Sequence, residues 1–198
     1  MEFLVLTWDD IVNFSIIIAR KIVSSGFRPD IVVGILRGGY VVAKLIGDLL
    51  GINEIGSIEV KFYKGIGERS ERPIITQPLI HDVRDRIVLV ADDVADSGRT
   101  LQVASEVVKL HGAKEVKTAT LYFKPRSIFI PDFYAAITSK WIVFPWEYAE
   151  VLREVTLKNY GKLSNESLSR AAKDIGLEKI KFMNQIVELI AEEETNRP

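Results

Sequence analysis

Two adjacent carboxylates, Asp92 and Asp93, close a hydrophobic run. A third acid, Asp96, follows inside the turn Asp96-Ser97-Gly98-Arg99-Thr100. Carboxylates only accept hydrogen bonds, so an adjacent pair suits the vicinal hydroxyls of a sugar. The backbone N–H groups of Ala95 to Thr100 would face outward where a helix begins, and Ser97 and Thr100 add hydroxyl donors. That set suits a phosphate monoester. Residues 87–101 therefore read as a clamp for a ribose 5-phosphate, with Asp96 placed to reach the anomeric carbon. A lone Asp-Asp pair would read as solvated acids before a capped helix. The whole string does not, because the acid pair, the third acid and the Ser-Gly-Arg-Thr turn share one strand, loop and helix. A phosphatase of the aspartyl-phosphate type needs alternate acids after the first strand, which is a different arrangement.

Two further segments could do chemistry. Leu36-Arg37-Gly38-Gly39 follows a buried run; its glycines let backbone N–H groups approach an anion, and Arg37 adds a charge-assisted donor. Alone it is equally an ordinary strand-to-helix turn. Lys124-Pro125 and Trp141-Ile142-Val143-Phe144-Pro145-Trp146-Glu147 combine a cation, stacking surfaces and an acid. Alone, Lys124 would be a solvated charge and the tryptophans core packing; core is the expectation for Trp146 and not for Trp141.

The elements that must position these residues alternate. Thr7 caps a helix with Asp10 in its first turn, Ile11, Phe14, Ile18 and Ile22 recur at helical spacing, and Gly26 stops it. Ile31 to Leu36 is a buried strand, Tyr40 to Leu50 a helix ending at Gly51, and Ile55 to Phe62 is extended. Ile87 to Ala91 is a buried strand, Thr100 to Leu110 a helix stopping at Gly112, and Val116 to Leu121 is extended. This order predicts an α/β fold with a doubly wound, mainly parallel sheet. Tyr63 to Arg72 is polar and too long for a tight turn, so it reads as a mobile loop. After Gly161, Glu166 to Ile175 is a helix stopped by Gly176. Leu177, Ile180, Met183, Val187 and Ile190 then repeat at helical spacing up to a frayed acidic end, Glu192 to Glu194. The predicted division is a main domain over 1–160 and a small helical extension over 161–198.

Composition sets bounds. The chain has 198 residues, with 26 Lys+Arg against 27 Asp+Glu, so it is not a generally basic nucleic-acid binder. It has no cysteine and only two histidines, His81 and His111, which excludes disulfides and thiolate zinc sites and disfavours a multi-histidine metal site. No apolar run approaches the roughly 20 residues of a membrane span. Residues 1–10 carry no basic segment or cleavage pattern, so the expected location is cytoplasmic.

The string from Ile87 to Leu101 resembles the phosphoribosyl-pyrophosphate (PRPP) motif of the type I phosphoribosyltransferases, and the resemblance extends over roughly residues 1–155. It implies that family's fold, with a small hood and the C-terminal helical appendage added. It implies that Asp92 and Asp93 hold the ribose hydroxyls, that Ala95, Asp96, Ser97, Gly98, Arg99 and Thr100 hold the 5-phosphate, and that Asp96 is the acid/base partner of purine N7. Arg37, Gly38 and Gly39 match the pyrophosphate loop, which often holds a non-proline cis peptide, here Leu36–Arg37. The segment Tyr63 to Arg72 resembles the catalytic loop that closes over PRPP, although it lacks the Ser-Tyr pair of many purine enzymes. In the hood, Lys124 would donate to a 6-oxo group, Trp141 stack on the ring, the Ile142 backbone read the base edge, and Glu147 approach the 2-position. Glu147, Asp92 and Asp93 would be the oxygen ligands of Mg²⁺.

The implied reaction is PRPP plus a purine base giving a nucleoside 5'-monophosphate and pyrophosphate, a purine-salvage step without nucleic-acid or membrane partners. Arg37 and Asp96 are its expected catalytic residues, and Arg99 is near enough in sequence to assist the leaving group. Type I relatives are usually homodimers or homotetramers. Lys124 argues for a 6-oxopurine (guanine, xanthine or hypoxanthine), whereas the appendage is similar to that of archaeal relatives that use adenine; both bases stay open. The competing class is a PRPP-binding regulator without catalysis, which would tend to have lost the acid or the pyrophosphate loop.

Overall fold

The computed structural model describes residues 2–63 and 72–196. A short strand, β1 (Phe3–Val5), precedes helix α1 (Trp8–Ser24). The expected cap is in place. The Asp10 N–H donates to the Thr7 hydroxyl at 3.2 Å, and the Asp10 carboxylate accepts from the Thr7 N–H at 2.8 Å and hydroxyl at 2.6 Å. Ile11, Ile18 and Ile22 are buried on one stripe, and Phe14 packs edge-on against Tyr122.

Next come β2 (Ile31–Ile35), α2 (Gly38–Leu50), β3 (Ile55–Tyr63) and β4 (Arg72–Gln77). They are followed by β5 (Ile87–Ala95), α3 (Arg99–Leu110), β6 (Glu115–Phe123) and β7 (Phe133–Ile137). Six strands form one sheet in the order β4-β3-β2-β5-β6-β7, and every pairing is parallel except β3–β4. This is the doubly wound sheet that the alternation predicts. Its core is β-branched and aliphatic: Ile31, Val33, Ile35, Val88 and Val90 are essentially inaccessible, and Leu101 and Val108 of α3 cover them.

Several elements differ from the expected ones, each for a physical reason. Helix α2 starts at Gly38 rather than Tyr40, so both glycines lie in its first turn. Strand β5 does not end at Ala91. It continues through the acid pair to Ala95, because the ladder to β6 pairs Asp92 with Thr120 and Ala95 with Phe123. Tertiary pairing overrides the poor strand propensity of Asp. The expected elements include no strand over 72–77, yet β4 forms there, with Pro73 in it. It is an edge strand, where a missing N–H is tolerated. Tyr63 and Arg72, the ends of the predicted loop, are paired across β3 and β4; 64–71 lie outside the described residues.

The chain divides into two compact units, Ile11–Ser139 and a smaller one made of Met1–Asp10 with Lys140–Pro198. In the smaller unit β8 (Trp141–Val143) pairs in parallel with β1, followed by α4 (Tyr148–Tyr160), α5 (Asn165–Ile175), a 3-10 turn (Leu177–Lys179) and α6 (Met183–Thr195). Ser164 and Ser167 form a capping box on α5, and Gly176 stops it at φ 82°. The helices after residue 160 do not build a core of their own. Leu168, Ala171 and Ile190 share one with Val143, Tyr148 and Leu152. The periodic run from Leu177 is not one helix either. Its apolar residues are buried as spaced, but the chain turns at Ile180 before α6 begins. The acidic end is helical to Thr195 rather than frayed. Among the described residues no helix is long and apolar enough to cross a membrane.

Candidate active site

Strands β2 and β5 are neighbours, yet the chain leaves β2 for β3 on one side and β5 for β6 on the other. That reversal is a topological switch point, where the carboxyl ends of adjacent parallel strands open a crevice for a ligand. The segment Leu36-Arg37-Gly38-Gly39 follows β2, and Asp96-Ser97-Gly98 follows β5. The two candidate anion loops therefore border one crevice.

Both loops feed helices that begin without a capping side chain at the N-cap position. Neither α2 nor α3 has a side-chain cap hydrogen bond or an acidic residue in its first turn. An uncapped N-terminus favours an anion through its free donors and its dipole. The exposed loop after β5 is shorter than expected. Ala95 is buried as the last strand residue, and its carbonyl accepts from the Lys124 N–H at 3.0 Å. Ser97 is exposed, and the Arg99 N–H donates to its hydroxyl at 3.4 Å. Gly98 has φ 78°, and a Cβ there would lie 2.7 Å from the Phe129 nitrogen. Thr100 sits half-buried in the first turn of α3. The Arg99 guanidinium lies over the Phe62 ring at 4.4 Å, which directs it toward the end of β3.

On the β2 side the peptide bond Leu36–Arg37 is cis, and Leu36 donates its N–H to the Ile58 carbonyl at 2.9 Å. Arg37 is exposed, while Gly39 is buried against β5. A Cβ on Gly39 would meet the Ala91 carbonyl oxygen at 2.6 Å and Asp92 Oδ1 at 2.8 Å. The glycine is thus what brings the start of α2 onto the acid pair.

Asp92 and Asp93 are half-buried and, as successive strand residues, point to opposite faces. Burial pushes the Asp92 carboxyl well above the usual carboxylate range. The neighbouring charge of Asp93 adds to the rise, and the Asp93 N–H, donated to Asp92 Oδ1 at 3.0 Å, partly offsets it.

The third acid has two cationic partners. Lys124, at the end of β6, places Nζ 3.4 Å from Asp96 Oδ2, with only 7% of its side chain exposed. The solvated surface charge that Lys124 would be in isolation is not what the fold makes of it. Arg126 donates from Nε to Asp96 Oδ1 at 2.7 Å and approaches the same oxygen with Nη2 at 2.5 Å. Sequence reasoning missed Arg126. The signal was its place two residues after Lys124, but its partner is 30 positions away.

The other predicted base contacts belong to the smaller unit. Trp141 is 41% exposed on β8, and Ile142 is buried beside it. Trp146 stacks on Phe144, with centroids 4.8 Å apart, and meets Trp8 at 5.9 Å, so it is packing as expected. Glu147 closes its own turn: the Phe144 N–H donates to Glu147 Oε1 at 3.1 Å, and the Glu147 N–H donates to the Phe144 carbonyl at 3.1 Å.

Known proteins agree with this reading of the fold. The family model of the phosphoribosyl transferase domain matches residues 7–151. A xanthine-guanine phosphoribosyltransferase of Cereibacter sphaeroides is 32% identical, over 73% of this chain and 86% of the relative. One from Gluconobacter oxydans is 24% identical, over 82% of this chain and 95% of the relative. The crystal structure of a purine phosphoribosyltransferase from Pyrococcus horikoshii is 42% identical with a TM-score of 0.67, covering 74% of this chain and 94% of that one. With the family match spanning most of its length, over the sheet and both anion loops, the chain belongs to the phosphoribosyltransferase family of enzymes.

Proposed function

We propose that this protein transfers the phosphoribosyl group of PRPP to N9 of a 6-oxopurine, releasing pyrophosphate. The observation that carries the choice of base is the buried Lys124 ammonium beside the Asp96 carboxylate. An ammonium only donates, so it matches a 6-oxo acceptor and not the amino group of adenine. Asp96 supplies the complementary acceptor for a proton at N7. The names of the relatives from Cereibacter and Gluconobacter point to the same class of base.

The mechanism follows from charge. Cleavage of the anomeric C–O bond runs ahead of bond formation, leaving a cationic sugar and a pyrophosphate with extra negative charge. Arg37 and the N–H groups of Gly38 and Gly39 take up the leaving group. Ser97, Gly98, Arg99 and Thr100 hold the 5-phosphate, and Asp92, beside the first turn of α2, accepts from the ribose hydroxyls, while Asp93 lies on the opposite face of β5. Lys124 and Arg126 fix Asp96, which moves the N7 proton. Asp92, Asp93 and Glu147 are hard oxygen donors of the kind Mg²⁺ takes, yet among the described residues no three such groups converge. Mg²⁺ commonly keeps several waters and substrate oxygens as ligands, so it would need only one or two of these carboxylates. When bound, Mg²⁺ supplies neutralisation of charge on the pyrophosphate.

The test is a PRPP- and Mg²⁺-dependent assay against guanine, xanthine, hypoxanthine and adenine, run with Asp96→Asn alongside. Turnover of a 6-oxopurine, lost in the variant, is the expected result. Turnover of adenine alone overturns the choice of base, and PRPP binding without turnover of any base makes the protein a regulator.

A further inference from the structure

Helices α4 and α5 and the strand pair β1–β8 enclose a cleft of about 490 Å³. It lies wholly within the smaller unit, and much of it is built by residues beyond the family match, which ends at 151. Its apolar lining comes from Phe3, Val151, Val155 and Ile175, and the exposed indole of Trp141 forms part of the wall. Glu154, Lys158, Asn159 and Asp174 supply the polar groups. Of the residues expected to contact the substrate base, Trp141 lines it, and Asp96, Lys124, Ile142 and Glu147 do not.

We propose that this cleft is a second ligand site, taking a free planar heterocycle that carries an exocyclic amino group, of aminopurine size. A cleft of a few hundred Å³ with apolar walls and a few convergent polar groups is the usual form of a small-molecule site. The indole offers a stacking face, which any nucleobase can use. The Glu154 carboxylate and Asp174, whose Oδ2 already accepts from the Tyr160 hydroxyl at 2.6 Å, offer acceptors to an amino group, and the Asn159 amide both donates and accepts, as a ring edge requires. Two carboxylates against the single ammonium of Lys158 leave the lining net negative, which disfavours a phosphorylated ligand and selects the free base over the nucleotide.

The experiment titrates the full-length protein with 2-aminopurine, following its fluorescence, and repeats the titration by equilibrium dialysis with adenine. Wild type is compared with Val155→Phe, which fills the cleft, and with Asn159→Leu, which removes the amide. The expected result is saturable, quenching binding, with a component weakened more than tenfold in Val155→Phe and about tenfold in Asn159→Leu. Both variants retain the wild-type kcat with PRPP and a saturating 6-oxopurine. Absence of saturable binding, or binding unchanged by both variants, overturns the site. So does loss of binding and turnover together in Asn159→Leu, a substitution at the rim that decides the matter if Val155→Phe fails to fold. If no base is turned over by wild type but the cleft variants still remove a binding component, the transfer reaction fails and the site stands.

Discussion

Gly39 and Asp92 are in contact such that a single added carbon would not fit between them: a Cβ on Gly39 would stand 2.8 Å from both Cα and Oδ1 of Asp92. The first turn of the helix that carries the leaving-group loop is thereby seated on the carboxylate that is proposed to hold the sugar. Gly39→Ala must push α2 away from β5 or turn Asp92 aside. Overpacking of this kind costs about 1–3 kcal/mol. The expected outcome is that loss in urea denaturation, with a rise in KM for PRPP larger than the rise in KM for the base.

Lys124 and Arg126 both hold Asp96, but they answer different questions. Lys124→Met keeps the apolar stem and removes the buried charge, and Arg126 still pairs with Asp96. We expect little change in melting temperature and a loss of about 2–3 kcal/mol of transition-state stabilisation, roughly 30- to 150-fold in kcat/KM for guanine. Arg126→Ala, at an exposed residue, should lower kcat with little change in KM for PRPP. Steady-state kinetics with varied base and varied PRPP separates the two.

Asp92 makes the stability of the free protein fall with rising pH. Its folded-state value is raised above the ordinary 3.8, so between that value and the raised one the folded chain holds a proton that the unfolded chain has released. Stability therefore drops as pH rises through this window, and the whole penalty is present above it. Asp92→Asn should be more stable than wild type at neutral pH, and the difference should vanish as pH falls toward about 4. Denaturation midpoints from pH 4 to 8 check the sign, and a wild type gaining on the variant as pH rises would contradict it.

Thr120 is opposite Asp92 in the sheet, and its hydroxyl is buried without a hydrogen-bond partner among the described residues. Replacing an unsatisfied polar group by an apolar one of the same shape is neutral or stabilising. Thr120→Val should raise stability by up to about 1 kcal/mol, measured by chemical denaturation. A loss of similar size would mean that the hydroxyl has a partner in solution.

Residue types and local order were enough to determine that a strand, a Gly-rich turn and a helix recur, that the acid string from Asp92 to Thr100 lies where two elements meet, and that Thr7, Gly51 and Gly176 bound helices. These are short-range consequences of hydrogen-bonding capacity and φ preference, and they survive in almost any tertiary setting. Only the tertiary structure decided that β5 runs on to Ala95, that Pro73 lies in an edge strand, and that Arg126 joins Lys124 on Asp96. Each depends on which strands lie side by side, and periodicity along one segment carries no information about its neighbour in the sheet. The C-terminal helices show the same limit from the other side. Their apolar spacing was legible, but that Leu168 and Ile190 share a core with Val143 and Leu152 is set by packing between segments far apart in the chain.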